Sequence, residues 1–160
     1  MRLKKRWRIV VSVLVPVLLV IGVPAWFLLP PREMAVPSDA VVVLAGASDG
    51  RHQLGAQLVE EGTAENFVVS NPRGAGDRVG SAHCRGQDRP EGAAEEGWSE
   101  LTVVTNRPHN RRVRTMFEHC TDLEVTVVSS QWVNKVRVPY HVAREVAGYM
   151  KFWITDPCGD

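Results

Sequence analysis

His109 and Arg112 stand three residues apart in the segment Thr105-Asn106-Arg107-Pro108-His109-Asn110-Arg111-Arg112. An imidazole can donate or accept a proton near neutral pH. A guanidinium carries a permanent charge on a planar fork that fits phosphate or carboxylate. On a helix, residues three apart share a face, so the two side chains would act together. Other chemistry-bearing residues also follow apolar runs. Gly46, Ser48 and Arg51 come after the first run, Ser70 and Asn71 after the second, Thr105 ends the third, and Ser129 and Ser130 follow the fourth. In an open parallel sheet such positions gather at the carboxyl ends of the strands, where ligands bind. Small hydroxyls, cations and helix-start amides in one place suit an anion.

Each candidate also has a purely structural explanation. Gly46 serves a turn as readily as a ligand. Arg51, at a helix start, opposes the helix dipole and needs compensation, either from a carboxylate such as Asp49 or from a ligand. His109 could simply begin its helix, and Glu145 could pair with a nearby arginine or join the site. Arg111 and Arg114 are expected in solvent. The run Gly46-Ala47-Ser48-Asp49-Gly50 is not the dinucleotide fingerprint. No Ser-His-Asp set follows from residue order. His83-Cys84 and His119-Cys120 are adjacent pairs without metal-ligand spacing, so no metal site is expected and no cofactor is identified. Whether the chain is an enzyme stays open.

The elements that would hold these residues follow from the pattern. Ala40 to Ala45 is a continuous apolar run, as in a strand covered on both faces. Asn66 to Ser70, Leu101 to Thr105 and Glu124 to Val128 read as three further strands. Helices are expected over Arg51 to Glu61, with Gly62 as its stop, over His109 to Cys120, and over Tyr140 to Ile154. Strand and helix alternate, which predicts an α/β fold with a small, mostly parallel sheet. The stretch about 73–97 is rich in Gly, Arg, Asp and Pro and poor in large apolar residues, and no covering helix is legible there. Cys84 lies in it. Cys120 closes one helix and Cys158 follows another, so a Cys120–Cys158 disulfide is expected, with the two helices antiparallel.

Before this domain, Ile9 to Leu29 holds fifteen Ile, Leu, Val or Phe and no charged residue. About 21 residues at about 1.5 Å each reach about 32 Å, the thickness of a hydrocarbon core. The expected organisation is a basic tail over 1–8, a transmembrane anchor over 9–29, a stiff linker over 30–38 and an α/β domain over 39–156. A cleavable signal peptide is the rival reading, although its apolar run is normally shorter and ends in small residues. Arg2, Lys4, Lys5, Arg6 and Arg8 precede the span with no acid among them, so the amino terminus is expected in the cytoplasm and the domain outside. Without those five cations the chain has 14 basic against 18 acidic residues. That balance offers no footprint for nucleic acid. The lipid bilayer is the expected partner.

Several segments together resemble the YdcF/SanA/ElyC family of domains of unknown function. Asp39-Ala40-Val41-Val42-Val43-Leu44-Ala45-Gly46 is similar to its first strand and glycine turn. Arg51 and the helix end at Gly62 are similar to its first helix, and Val68-Val69-Ser70-Asn71-Pro72 to its second strand. Thr105 to Arg112 resembles its Thr-Ser-x-Tyr-His-x-x-Arg segment, and His141 to Lys151, with Glu145, its closing helix. The resemblance implies a Rossmann-like three-layer sandwich. It also implies a membrane-anchored envelope protein that binds or acts on a phosphorylated wall-precursor or lipid-carrier intermediate. The chain departs from the family between Cys84 and Trp98, where the family's acidic loop and middle helix have no counterpart. A non-catalytic interaction module, or an inactive truncated member, is the alternative implied by that departure.

Overall fold

The computed structural model describes residues 2–44, 49–70, 97–131, 135–155 and 158. A long helix α1 (Arg2–Leu28) leads to the domain. There β1 (Ala40–Val43), α2 (Arg51–Glu60), β2 (Asn66–Val69), β3 (Glu100–Asn106), α3 (Arg107–Cys120), β4 (Glu124–Ser130) and α4 (Val138–Thr155) follow in order. The four strands form one sheet in the order β2-β1-β3-β4, with every neighbour parallel. The fold is a Rossmann-like three-layer α/β sandwich with one apolar helix ahead of it. The irregular stretch about 73–97, with Cys84, lies outside the described residues except for Gly97.

Both faces of the sheet are buried, as the continuous apolar runs require. Val41, Val43, Val69 and Val104 pack with Leu58 and Ala64 on the α2 side. Ala40, Leu101, Val103 and Val127 pack with Val113 of α3 on the other. The strand pleat alternates residues between the two cores, so each strand needs apolar side chains in both phases. Val41, Val43, Val103, Val104 and Val127 are fully buried. Each contributes about 1.5–3 kcal/mol by leaving water, an upper estimate since the unfolded chain already hides some surface. At the amino edge Asp39 Oδ2 accepts from the Ser99 and Glu100 amides, at 2.7 and 2.9 Å, and so pins the start of β1 to the start of β3. The Glu100 and Ser99 amides hold its carboxyl below the usual range.

Helices α3 and α4 lie side by side and run in the same direction. His109 meets Glu145, Thr115 meets Tyr149 and His119 meets Phe152. The expected antiparallel packing is therefore corrected. In a parallel sheet every helix returns from the carboxyl to the amino edge, so two helices on one face must be parallel. The Cys120–Cys158 disulfide accordingly joins the end of α3 to the chain just beyond α4, with Cα atoms 5.1 Å apart. Closing a loop over a sequence separation of 38 residues is worth about 3–4 kcal/mol in the chain-entropy model.

The start of the domain is tied to the end of α1. Arg111 stacks on Trp26, 4.5 Å from the ring centroid, and donates to the Trp26 and Leu29 carbonyls at 2.6 and 3.3 Å. Arg114 pairs with Glu33 and, at 3.8 Å, with Glu118. The expectation that both arginines are solvated is thus corrected. The last turn of α1 has no basic residue of its own, and Arg111 supplies the cation that its free carbonyls favour. Glu33 also accepts from the Val127 amide of edge strand β4 at 2.8 Å, satisfying an otherwise open edge group.

Gly55 of α2 marks the closest approach of helix and sheet. A Cβ there would lie 2.3 Å from Val43 Cγ2 and 3.0 Å from Phe67 Cε2. Val43 is stiff at χ1 and fully buried, so it has little room to yield. Gly55→Ala would gain about 1 kcal/mol of helix propensity but incur about 1–3 kcal/mol of overpacking. We expect a lower melting temperature for Gly55→Ala by calorimetry. A rise would show that α2 can lift off the sheet freely.

Candidate functional site

The sheet order dictates where a crevice opens. The β1 crossover leads outward to β2, whereas the β3 crossover leads the opposite way to β4. Their connections diverge between the carboxyl ends of β1 and β3, the place where ligands bind in open α/β sheets. The polar residues on either side of this point are bonded to one another.

From the β1 side come Asp49 and Arg51, both almost fully buried. Gly50 between them has φ of 81°, a left-handed conformation natural to glycine, and serves as N-cap of α2. This turn folds Asp49 back onto Arg51. Arg51 Nε donates to Asp49 Oδ1 at 2.7 Å, Nη2 pairs with Oδ2, and Nη1 donates to the Leu44 carbonyl at 3.0 Å. Asp49 thus supplies the compensation that a cation at a helix start needs. From the β3 side comes Asn106, whose Nδ2 donates to Asp49 Oδ2 at 3.1 Å. Its Oδ1 accepts from the His109 amide at 3.1 Å, which makes Asn106 the N-cap of α3. One asparagine therefore joins the β1 loop to the start of α3. Burial would raise the Asp49 carboxyl, but the Arg51 fork and Asn106 outweigh it and hold the group below its usual range.

Next to this knot lies a second one in the groove between α3 and α4. His109 Nδ1 lies 2.9 Å from Glu145 Oε2, and Arg112 Nε donates to the same oxygen at 2.8 Å. Arg112 Nη2 lies 2.9 Å from His109 Nδ1. The three-residue spacing brings His109 and Arg112 together, and α4 contributes the carboxylate. Gly148, one turn after Glu145, makes room, since a Cβ there would lie 2.7 Å from Arg112 Nε.

Electrostatics set the protonation states. Burial pushes Glu145 up, but His109 and Arg112 draw it down to about 2, so it is ionised at neutral pH. Burial pushes His109 down; Glu145 pulls it up, and the Arg112 and Arg51 charges push it down further, leaving it below its ordinary value and neutral at pH 7. Asn106, bonded to Asp49 on one side and to the His109 amide on the other, joins the two knots. Neutral His109 has two tautomers. With a proton on Nδ1 it donates to Glu145 and keeps a lone pair on Nε2. With the proton on Nε2 it accepts from Arg112 and keeps a donor on Nε2.

Of the sequence candidates, Arg51, His109, Arg112 and Glu145 are brought together. Thr105 is fully buried at the end of β3, and its Oγ1 has no hydrogen-bond partner among the described residues. Ser70 directly follows the outer strand β2, which lies two strand spacings or about 10 Å from β3. Gly46, Ser48 and Asn71 lie outside the described residues. Sequence reasoning sets Asn106 beyond the third strand without giving it a capping role, and does not single out Asn110. The signal for Asn106 was present, an asparagine two residues before a proline at a helix start. Asn110 donates to the Val127 carbonyl at 3.1 Å and to Ser129 Oγ at 2.8 Å, fastening α3 to β4. No cluster of three or more His, Cys, Asp or Glu suited to a metal is found among the described residues. The chain matches no family model, no curated protein and no solved structure.

Two consequences can be measured. Removing Glu145 takes away the group that raises His109, so Glu145→Gln should lower the His109 titration midpoint in 15N NMR; an unchanged midpoint would separate the two groups. Glu145→Gln should also lose about 2–3 kcal/mol of stability near pH 7, a figure reduced for the partial exposure of its partners. Glu145 has a depressed folded pKa, so its contribution is full above the ordinary value of 4.5 and fades as pH falls toward about 2. Denaturation curves for both proteins should therefore converge over that window.

Proposed function

We propose that this chain is a membrane-anchored envelope protein of the YdcF/SanA/ElyC type. In this reading its outer domain binds a phosphorylated wall-precursor or lipid-carrier intermediate. The observation that carries the reading is the gathering of Arg51, His109 and Arg112 at the divergence of β1 and β3. Two permanent cations and an imidazole, gathered where the strand connections diverge, suit a phosphate ester. No reaction is assigned: the side-chain partners of His109 among the described residues are Glu145 and Arg112.

A second reading follows from the same geometry. Arg51 is matched by Asp49 and Arg112 by Glu145, so the array is close to neutral. The α3 start offers little to an anion, because Pro108 has no N–H and Asn106 takes the His109 amide. These features favour a non-catalytic interaction module in which both knots hold the loops in place.

Retention of the anchor has its own support. The window Val10–Leu28 is 19 residues long and apolar enough to cross a bilayer. Trp7 precedes it and Trp26 lies in its last turn, about 28 Å apart along a helix, near the two interfaces where aromatics are favoured. Phe27 is buried and Arg111 binds the last turn of α1. A cleaved signal would remove a packed part of the domain.

Calorimetry on the full chain in detergent, at one fixed salt concentration, with polyprenyl phosphate and with a UDP-sugar, tests the ligand reading. His109→Ala and Arg112→Ala should each weaken binding roughly 10–100-fold, since a hydrogen bond to a charged group is worth about 1.5–3 kcal/mol. Arg144→Ala, exposed on α4, should change it little. Equal losses from all three would reduce the effect to bulk charge, and no binding of either probe would leave the second reading. For topology, a reporter active only outside the cytoplasm and fused after Ala35 should be active. The opposite pattern would reverse the orientation inferred from the basic tail.

A further inference from the structure

The outer face of α4 ends in an apolar patch. Met150, Trp153 and Ile154 are 60%, 60% and 77% exposed. Their spacing of three and four residues puts them on one side of the helix, while Val142, Glu145 and Phe152 face inward. Scattered exposed apolar residues are ordinary, but a tryptophan, an isoleucine and a methionine side by side mark an interaction surface.

The patch is continuous with the anchor. Tyr149, one turn before Trp153, lies 5.6 Å from Trp26 and 5.8 Å from Phe27, and Phe152 lies 5.2 Å from Trp153. Aromatic side chains therefore follow from the last turn of α1 to Tyr149 and, one turn on along the same side of α4, to exposed Trp153. The Cys120–Cys158 disulfide fastens the chain just past α4 to the end of α3, so the patch is carried by a secured end and not by a fraying one.

We infer that this face of α4 lies in the outer interfacial layer of the same bilayer that holds α1. The inference rests on the anchor reading above. Tryptophan is favoured in that layer, where its ring sits among headgroups and upper acyl chains. Exposed Lys151, between Met150 and Phe152, reaches toward phosphate headgroups while its stem lies along the apolar face. Lipid is the occupant to which these aromatic side chains lead, since they begin on the membrane helix itself. The domain is thereby held at the surface in a fixed orientation instead of swinging on a linker.

The test uses the full chain in lipid nanodiscs made with plain or acyl-brominated phospholipid, comparing the intrinsic fluorescence of wild type, W153F and W26F. Phenylalanine keeps a ring against His119 and Phe152 at the first position and over Arg111 at the second. The Trp153 component, taken as wild type minus W153F, should be blue-shifted, lose most of its intensity to bromine and resist aqueous iodide. Quenching by iodide but not bromine would overturn the inference, because the face would be in water. Resistance to both would also overturn it, because protein would cover the face. The Trp26 component separates the two levels of argument. Bromine quenching of Trp26 without quenching of Trp153 sinks only the docking of α4. Absence of Trp26 quenching sinks the anchor reading and the docking with it.

Discussion

A parallel sheet cannot be closed by tight turns. Each strand must be followed by a crossover that returns over one face of the sheet, and this constraint organises the whole domain. Both faces are covered, so Val41, Val43, Val103, Val104 and Val127 are all inaccessible to water. The helices run against the strands, so α3 and α4 are parallel. Connections leaving the strands gather at the carboxyl edge, and polar groups accumulate there. The Cys120–Cys158 disulfide falls at the opposite end, where α3 and the segment after α4 arrive together.

The charged residues placed at the carboxyl edge are internally matched. Charges removed from water require partners close at hand, and each buried cation here has a carboxylate: Asp49 for Arg51 and Glu145 for Arg112. Such pairs stabilise little in net terms, because desolvation offsets attraction. Their effect is geometric. Asn106 links the first pair to the cap of α3, and Arg51 reaches His109 through its field. The two knots therefore behave as one array. A change to Glu145 alters the proton affinity of His109 and the placement of Arg112 together. The imidazole stays neutral beside an ionised carboxylate because burial and two guanidinium charges oppose its protonation.

The apolar helix α1 is a structural member of the domain. Arg111 and Arg114 lie on the α3 face away from Glu145 and hold Trp26, Leu29 and Glu33. The same helix thus presents one set of cations to the carboxyl-edge array and another to α1 and the segment after it. The Glu33 contact with the Val127 amide occupies part of the β4 edge, where an open strand would otherwise invite pairing with another chain. Packing of Phe27 and Trp26 on Tyr149 removes freedom between helix and domain that a linker alone would leave.

The sequence by itself determined the apolar helix, the strand and helix order and the parallel α/β class, because these follow from hydrophobic periodicity, which is local. It also placed His109 and Arg112 on one helical face, since that depends only on spacing. The pairing of Arg51 with Asp49 was one of two open alternatives, and local turn geometry at Gly50 decided it. Tertiary structure alone joined Glu145 to His109 across 36 residues and Asn106 to Asp49 across 57. It also moved Arg111 and Arg114 from solvent onto the end of α1 and the segment after it. The antiparallel packing expected of α3 and α4 does not hold. A strand lies between them, and a parallel strand sends the second helix the same way as the first. Contacts of this kind depend on which faces the sheet brings together, and no residue pattern within one element contains that information.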